Sequence, residues 1–356
     1  MTAALAPSPS PAGAPDRAKA LRIAIVTDAW RPQVNGVVRT LTETKRELEA
    51  AGHTVEMVAP DRFRTVPCPT YPEIRLSLTG AGAVGRILDA FAPDAVHIAT
   101  EGPLGWAART ACIRRGLPFT TAYHTRFPEY VRARIGTPLS WSYAVLRRFH
   151  GAASRVMVPT PTVKADLEKW GFSNVVLWTR GVDLSVFKPG PRDRLKTKPP
   201  IFVYVGRVAV EKNVEAFLAL DLPGSKWVVG EGPAMAALKA RYTDASWLGV
   251  LQQKELAEVY AAADVFVFPS RTDTFGLVLL EAMACGTPVA AYPVTGPLDV
   301  LGDVPPEASG GAMDEDLRAA CLKALEIPRT RARAHAERYS WAECARQFAE
   351  HLRPRR

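Results

Sequence analysis

The chain has 356 residues, 47% hydrophobic and 23% charged, a balance that allows about two domains with their own cores and excludes a disordered or fibrous protein. Its 45 Lys and Arg against 36 Asp and Glu leave a net charge of +9, which favours nucleic acid, an anionic membrane surface or a phosphorylated substrate as partner. No run approaches the roughly 18 consecutive apolar residues that span a bilayer, and Cys68, Cys112, Cys285, Cys321 and Cys344 form no CxxC pair, which favours reduced thiols in the cytosol without a disulfide framework or zinc site.

Residues 1–20, MTAALAPSPSPAGAPDRAKA, carry neither an early charged region nor an apolar core. They read as a disordered tail and not as a signal peptide. Leu21 to Thr27 is a nearly continuous apolar run, the pattern of a strand buried on both faces of a parallel sheet. A helical pattern follows from Gly36 to Ala51, with Asn35 and Gly36 at the turn. Asn-Gly ordinarily marks only a turn; at this place Gly36 could also let backbone N–H groups approach a phosphate.

Strands at Thr54 to Ala59 and Ala95 to Ala99 alternate with helices at Gly82 to Phe91 and Pro103 to Arg115. A strand from Pro118 to Thr125 ends in Tyr123-His124-Thr125. A histidine there is usually just a satisfied polar residue, but carboxyl ends of parallel strands are also where open sheets bind ligands. Tyr130 to Arg155 reads as helical, with Arg132, Arg134, Arg147, Arg148 and Arg155 beside Trp141, Tyr143, Leu146 and Phe149. That pattern fits an ordinary surface helix, or an interfacial one whose arginines meet anionic lipid while aromatics enter the headgroup layer. Val156 to Thr160, a helix Thr162 to Trp170 and Val175 to Trp178 complete the first doubly wound unit.

Residues 186–200 are rich in proline and charge without periodicity, the composition of a domain linker. A second unit restarts at Ile201 with IFVYVGRVAVEKN, a strand running into Gly206-Arg207, with Glu211-Lys212-Asn213 opening the next helix. Arg207 and Lys212 could together neutralise a diphosphate, Arg through its fork and Lys as a point charge. Lys226 to Gly230 is another strand before the turn Gly230 to Pro233, and Trp247 to Val250 precedes a helix from Lys254 to Ala263. A strand from Val265 to Phe268, a helix from Phe275 to Cys285 and a strand from Pro288 to Tyr292 form a β-α-β unit. Asp273 and Glu281 flank and occupy that helix, roughly 12 Å apart along its axis at 1.5 Å per residue. A glycoside hydrolase wants its carboxylates about 5 to 10 Å apart; the wider spacing suits gripping two ends of one elongated ligand. The N–H groups of Thr274, Phe275, Gly276 and Leu277 could hold an anionic group between them. Taken singly, Asp273 would be an N-cap and Glu281 a solvated surface residue.

Helices from Glu315 to Leu325 and from Trp341 to Leu352 bracket a basic stretch, Arg329 to Arg333, and Asp314-x-Asp316 begins a helix and reads as capping. No zinc-finger, RNA-recognition or helix-turn-helix signature accompanies the positive charge. Taken together the pattern is α/β: two Rossmann-like parallel-sheet domains, 21–185 and 201–335, face a cleft, with 336–356 as a terminal helix.

The Asp273 to Glu281 passage with Phe275-Gly276 and Glu281-Ala282-Met283-Ala284 resembles the acidic-x7-acidic motif of family 4 retaining glycosyltransferases of the GT-B fold. VNGV, HTRFPEY, RGVD, GRVAVEKN and GEGP resemble further segments of that family. The departure is Asp273, where the family usually has Glu. The resemblance implies an enzyme moving a hexose from a UDP- or GDP-linked donor with no metal or other cofactor. It implies that His124 and Asp273 act on the sugar, and that Gly36, Arg207, Lys212, Gly232, Val250, residues 274–277 and Glu281 hold the donor, with Asn35 and Tyr130 on the acceptor side. It also implies that the last helix crosses back onto the first domain. The wording looks most like bacterial enzymes that glycosylate diacylglycerol-type lipids or transfer mannose from GDP-mannose to a phosphoinositide, glycolipid or polysaccharide. The basic aromatic segment favours a lipid acceptor, met by Arg132, Arg134, Trp141, Arg147 and Arg148. Such a protein would sit in the cytoplasm against the inner face of the membrane and would not bind nucleic acid. Two rivals follow: a non-catalytic phosphate or nucleic-acid binding module, and a phosphorylase or hydrolase on the same architecture.

Overall fold

The computed structural model describes residues 20–33, 35–68 and 71–354, without the side chains of 71–73 and 133–135. Most of the proposed tail therefore lies outside the described residues. The first half runs β1 (Arg22–Val26), α1 (Gly36–Ala50), β2 (Thr54–Val58), β3 (Thr65–Cys68), β4 (Tyr71–Ser77), α2 (Ala81–Phe91), β5 (Ala95–Ile98), α3 (Pro103–Arg115), β6 (Phe119–Ala122), α4 (Phe127–Ile135), α5 (Leu139–His150), β7 (Arg155–Val158), α6 (Pro161–Lys169) and β8 (Val175–Leu177). Its parallel sheet has the order β2-β1-β5-β6-β7-β8, and β3 and β4 form a separate antiparallel pair. Strand β1 is apolar throughout its core because both faces are covered. Ala24 and Val26 pack with α2 and α3, whereas Ile23 and Ile25 pack with α1.

The second half runs β9 (Ile201–Val205), α7 (Val214–Leu218), β10 (Ser225–Val229), α8 (Met235–Arg241), β11 (Ser246–Gly249), α9 (Gln253–Ala262), β12 (Val265–Phe268), α10 (Leu277–Ala284), β13 (Val289–Ala291), α11 (Pro297–Leu301), β14 (Gly311–Met313), α12 (Leu317–Leu325) and α13 (Arg329–Ala336). This sheet has the order β11-β10-β9-β12-β13-β14, again parallel. The chain ends with α14 (Trp341–His351), which leaves the second unit and lays Trp341, Cys344 and Phe348 on the first sheet beside Ile23, Ile25 and Leu41. The Trp178 indole N–H donates to the Cys344 carbonyl at 3.0 Å. The last helix thus supplies core that the first domain's own helices do not.

Several segments differ from the sequence-based expectation, each for a physical reason. The helical run expected over residues 130–155 breaks into α4 and α5 at Gly136, whose φ of 71° ends the first helix in a left-handed cap. The segment 186–200 is not a free spacer: Phe187 is fully buried against the Tyr260 ring at 6.2 Å, and Leu195 is buried with it. The basic stretch after residue 328 is helical, because its arginines close other helices. Arg329 donates to the carbonyls of Ala261 and Ala263 at 2.7 Å each, and Arg333 to that of Ala284 at 2.7 Å. Cations there meet the negative ends of α9 and α10. Asp316 caps α12 through Arg318 N–H at 2.9 Å, and Asp314 accepts from Asp316 N–H at 2.9 Å.

Candidate active site

Strand order reverses beside β1 in the first sheet and beside β9 in the second, and open parallel sheets bind ligands beyond the carboxyl ends of strands at such a point. The loops leaving β1, β6, β9 and β12 are brought together there. Thr274 Oγ1 donates to the His124 carbonyl at 2.8 Å, across the two halves of the chain. A Cβ on Gly36 would meet Leu277 Cδ1 at 3.8 Å, so the start of α1 faces the start of α10. Arg126 bridges Asp166 at 2.6 Å and Thr295 at 2.9 Å, and Thr162 N–H donates to Asp299 at 3.0 Å, which close the same seam.

Lys212 reaches this seam through a 3-10 turn over Val210–Lys212, followed by Asn213 at φ 52°. A short turn, and not the expected helix start, therefore carries it. Its ammonium donates to Asp273 Oδ1. The other oxygen, Asp273 Oδ2, is buried with no hydrogen-bond partner among the described residues. Burial pulls the Lys212 pKa down, but Asp273, Tyr130 and Glu211 outweigh it and leave the group above the ordinary lysine value. Tyr130 lies on the same pair, with burial raising its pKa while Lys212 works against the shift. Asp273 is not the N-cap its position suggests. Gly276, at φ 85°, begins α10 without a side-chain hydrogen bond to the first turn.

His124 follows β6. Its Nδ1 faces Arg180 Nη2 at 3.3 Å, and its Nε2 is buried with no partner among the described residues. Burial, reinforced by Arg180 and His97, holds its pKa well below the usual histidine value, so the ring is neutral.

Glu281 is not a solvated helix residue: it is 7% exposed. Arg39 Nη1 from α1 lies 3.3 Å from its Oε1, and the Tyr260 hydroxyl lies 3.5 Å from its Oε2. Burial raises its pKa and Arg39 opposes the shift. The Gln253 amide, with its oxygen turned toward Arg39, accepts from Nη2 at 3.1 Å. Sequence reading passed over Arg39. The signal was its place one turn after Gly36, which puts it on the face of α1 that looks into the cleft.

Gly232 lies where a Cβ would come within 2.3 Å of the Val208 carbonyl oxygen, which presses the turn after β10 against the loop after β9. Arg207 sits half-buried in that loop, its carbonyl accepting from the Tyr204 hydroxyl at 2.8 Å. Val250 is 58% exposed just past the end of β11.

Three of the expected site residues also have structural partners. The Phe275 ring packs into the second domain's core, 6.2 Å from that of Tyr339, so it is the backbone N–H and not the ring that lies at the turn before α10. Asn35 is the N-cap of α1, its side-chain oxygen accepting from Val37 and Val38 N–H at 3.0 Å each. Arg147 is exposed but donates to the Trp170 carbonyl at 2.7 Å, which ties it to its own domain. Arg132 and Arg148 are exposed, and Trp141 at 71% and Val145 at 55% share the outer face of α5. The Arg134 side chain lies outside the described residues. Among the described residues no helix is long and apolar enough to cross a membrane, and no three His, Cys, Asp or Glu side chains are grouped to hold a metal ion.

The chain matches the family model described as Glycosyltransferase Family 4 over residues 34–186, and that described as Glycosyl transferases group 1 over residues 199–326. It is 33% identical over 308 residues to a GDP-mannose-dependent alpha-mannosyltransferase of Mycobacterium tuberculosis, covering 79% of this chain and 81% of that one. It is 28% identical over 323 residues to the alpha-monoglucosyldiacylglycerol synthase of Streptococcus pneumoniae, covering 76% and 71%. A sucrose-phosphate synthase from Thermosynechococcus elongatus shares the fold, with a TM-score of 0.74 at 22% identity over 92% of this chain and 98% of that one. These matches set aside the non-catalytic binding module. With two facing parallel-sheet domains and a half-buried lysine and carboxylates at their seam, the chain belongs to glycosyltransferase family 4, as a GT-B enzyme that uses a nucleotide sugar.

Proposed function

We propose that the enzyme transfers a hexose, with retention at the anomeric carbon, from a nucleoside-diphosphate sugar to a lipid acceptor at an anionic membrane surface. The observation that carries the reading is the pair of buried atoms without partners among the described residues, Asp273 Oδ2 and His124 Nε2, beside the half-buried Lys212 ammonium. An unmet buried polar group costs about 1–3 kcal/mol. A sugar whose hydroxyls reach both atoms removes that cost, and a diphosphate takes the ammonium.

In this reading Lys212 and Arg207 carry the diphosphate charge as the bond between the anomeric carbon and the phosphate oxygen breaks. The acceptor hydroxyl oxygen bonds that carbon from the same face and its proton passes to the departing phosphate oxygen. Asp273 and His124 orient the sugar, and Glu281 orients the ribose. No metal is invoked, since the positive charge comes from these side chains and from the N-terminus of α10.

The lipid acceptor is supported by Phe127, Trp141 and Val145, all more than half exposed, on helices that also expose Arg132 and Arg148. An enzyme working there would be cytoplasmic and peripheral to the membrane. The Streptococcus relative's name contains such a lipid, diacylglycerol. A second reading is mannosyl transfer from GDP-mannose to a phosphoinositide, glycolipid or polysaccharide; the Mycobacterium relative's name favours its donor and sugar. One experiment separates them: GDP-mannose and UDP-glucose are each incubated with the enzyme and diacylglycerol in anionic vesicles, and sugar entering the lipid phase is followed. Sugar in the lipid in alpha linkage supports the proposal. Nucleotide release that ignores the lipid, or that orthophosphate or water sustains equally, refutes it.

A further inference from the structure

Arg180 has a setting unlike that of the surface arginines. It is 3% exposed, yet no carboxylate among the described residues contacts it. Nη1 donates to the carbonyls of Trp178 at 2.6 Å and Thr179 at 3.1 Å, and the guanidinium stacks on the Trp178 ring at 4.3 Å. Trp178 is in turn held by its indole N–H on the Cys344 carbonyl of α14. Nη2 is directed to Nδ1 of His124 at 3.3 Å.

A guanidinium has donors and no acceptor. The ring nitrogen facing it must therefore present a lone pair, which places the single proton of a neutral imidazole on Nε2, the buried atom with no partner among the described residues. We infer that Arg180 is a positioning residue that fixes His124 in the Nε2–H tautomer, making the histidine a hydrogen-bond donor to the transferred sugar. The inference rests on the proposed function for the ligand but not for the tautomer.

The surroundings agree. The Trp178 ring meets the His124 ring edge-on at 5.7 Å, and the His124 carbonyl is held by Thr274. The other titratable groups facing the pair are His97 from β5 and Cys344 from α14, neither of them an anion at neutral pH. His97 is itself anchored through Nδ1 to Thr120 Oγ1 at 2.9 Å. Nothing on this side stabilises a proton on His124 Nδ1, and the positive charge of Arg180 repels one. The donor therefore keeps its hydrogen across the pH range in which an ordinary histidine switches.

The test combines spectroscopy with kinetics. Nitrogen-15 histidine spectra of the intact wild-type enzyme should show one ring protonated on Nε2 and constant from pH 5.5 to 8.5, its assignment made by its loss in His124→Asn. Arg180→Met should lower kcat about 100-fold, as loss of one aligned donor does, with the donor KM changing less. It should also raise the pH at which activity falls on the acid side, because the Arg180 charge no longer opposes protonation of His124, and Arg180→Lys should restore most of kcat and the wild-type acid profile. A wild-type ring protonated on Nδ1, or one that titrates within that range, overturns the inference, as does an Arg180→Met loss that is equal at every pH. If Arg180→Met does not fold, the wild-type spectrum and the Arg180→Lys profile still decide. If no sugar transfer is found at all, the spectrum judges the tautomer separately from the function.

Discussion

Replacing Lys212 by alanine should weaken nucleotide binding and destabilise the empty enzyme through two separable effects. Lys212 and Asp273 side chains are 24% and 16% exposed, between the surface pairs worth about 0–1 kcal/mol and the buried ones whose breakage costs about 3–5 kcal/mol. Discounted for that exposure, the orphaned Asp273 carboxylate should cost about 1–3 kcal/mol. At the lower end of the usual 2–4 °C per kcal/mol, this lowers the melting temperature by about 2–6 °C. Loss of a charge-assisted contact to the diphosphate removes about 1.5–3 kcal/mol, or roughly 10- to 150-fold in affinity. A nucleotide at about 100 times its Kd stabilises the wild type by about 2.7 kcal/mol. After a 100-fold weakening the same concentration gives only about 0.4 kcal/mol. Scanning calorimetry with UDP and GDP should therefore show a shift of several degrees shrinking to about one degree. Adding Asp273→Asn should recover the apo stability but not the nucleotide shift. A Lys212→Ala protein with an undiminished shift, or a double variant no more stable than the single one, would contradict the reasoning.

The remaining expectations follow from the same contacts. Phe348→Ala in α14 should cost about 3–5 kcal/mol, measured by urea unfolding; a loss below about 1 kcal/mol would mean that the last helix is not part of the first core. Burial and Arg180 depress the pKa of His97 to about 3. The unfolded chain then takes up a proton that the folded one refuses, so stability is full above pH 6.5 and falls as pH drops toward 3, by about 1.4 kcal/mol per unit. Melting temperatures between pH 7.5 and 5 check the sign, and no decline would refute it. Gly232→Ala must move the Val208 carbonyl; nucleotide affinity should fall with a stability loss of about 1–3 kcal/mol, and an unaltered thermal shift would show that the turn does not shape the seat. Reversing Arg147 and Arg148 to Glu removes at least about 2 kcal/mol of attraction to anionic vesicles, roughly 30-fold in binding, and unchanged sedimentation with liposomes would remove the support for a lipid surface.

Much of the architecture was legible in the residue order because parallel strands covered on both faces must be continuously apolar. Leu21 to Thr27, Ile201 to Val205 and Val265 to Phe268 announce themselves in that way, and glycines at 36, 206 and 276 mark the turns that follow them. The hairpin of β3 and β4 did not, since Pro67 and Pro72 interrupt strands that are otherwise half-polar. The helix at Arg329 was read as a basic stretch because its purpose, closing the ends of α9 and α10, lies in other elements.

The same division holds at the seam. Lys212, Asp273, Glu281 and His124 stand out by residue type and by their place after a strand, which local pattern can supply. Their partners do not. That Glu281 meets Arg39, that Asp273 leaves α10 uncapped to pair with Lys212, and that His124 turns its Nδ1 to Arg180 depend on how two sheets and a crossing helix dock. Sequence alone determined which groups carry charge and on which side of each sheet they emerge. Only tertiary packing decided which charges meet, because hydrogen bonds and ion pairs act over a few ångströms of space and take no account of distance along the chain.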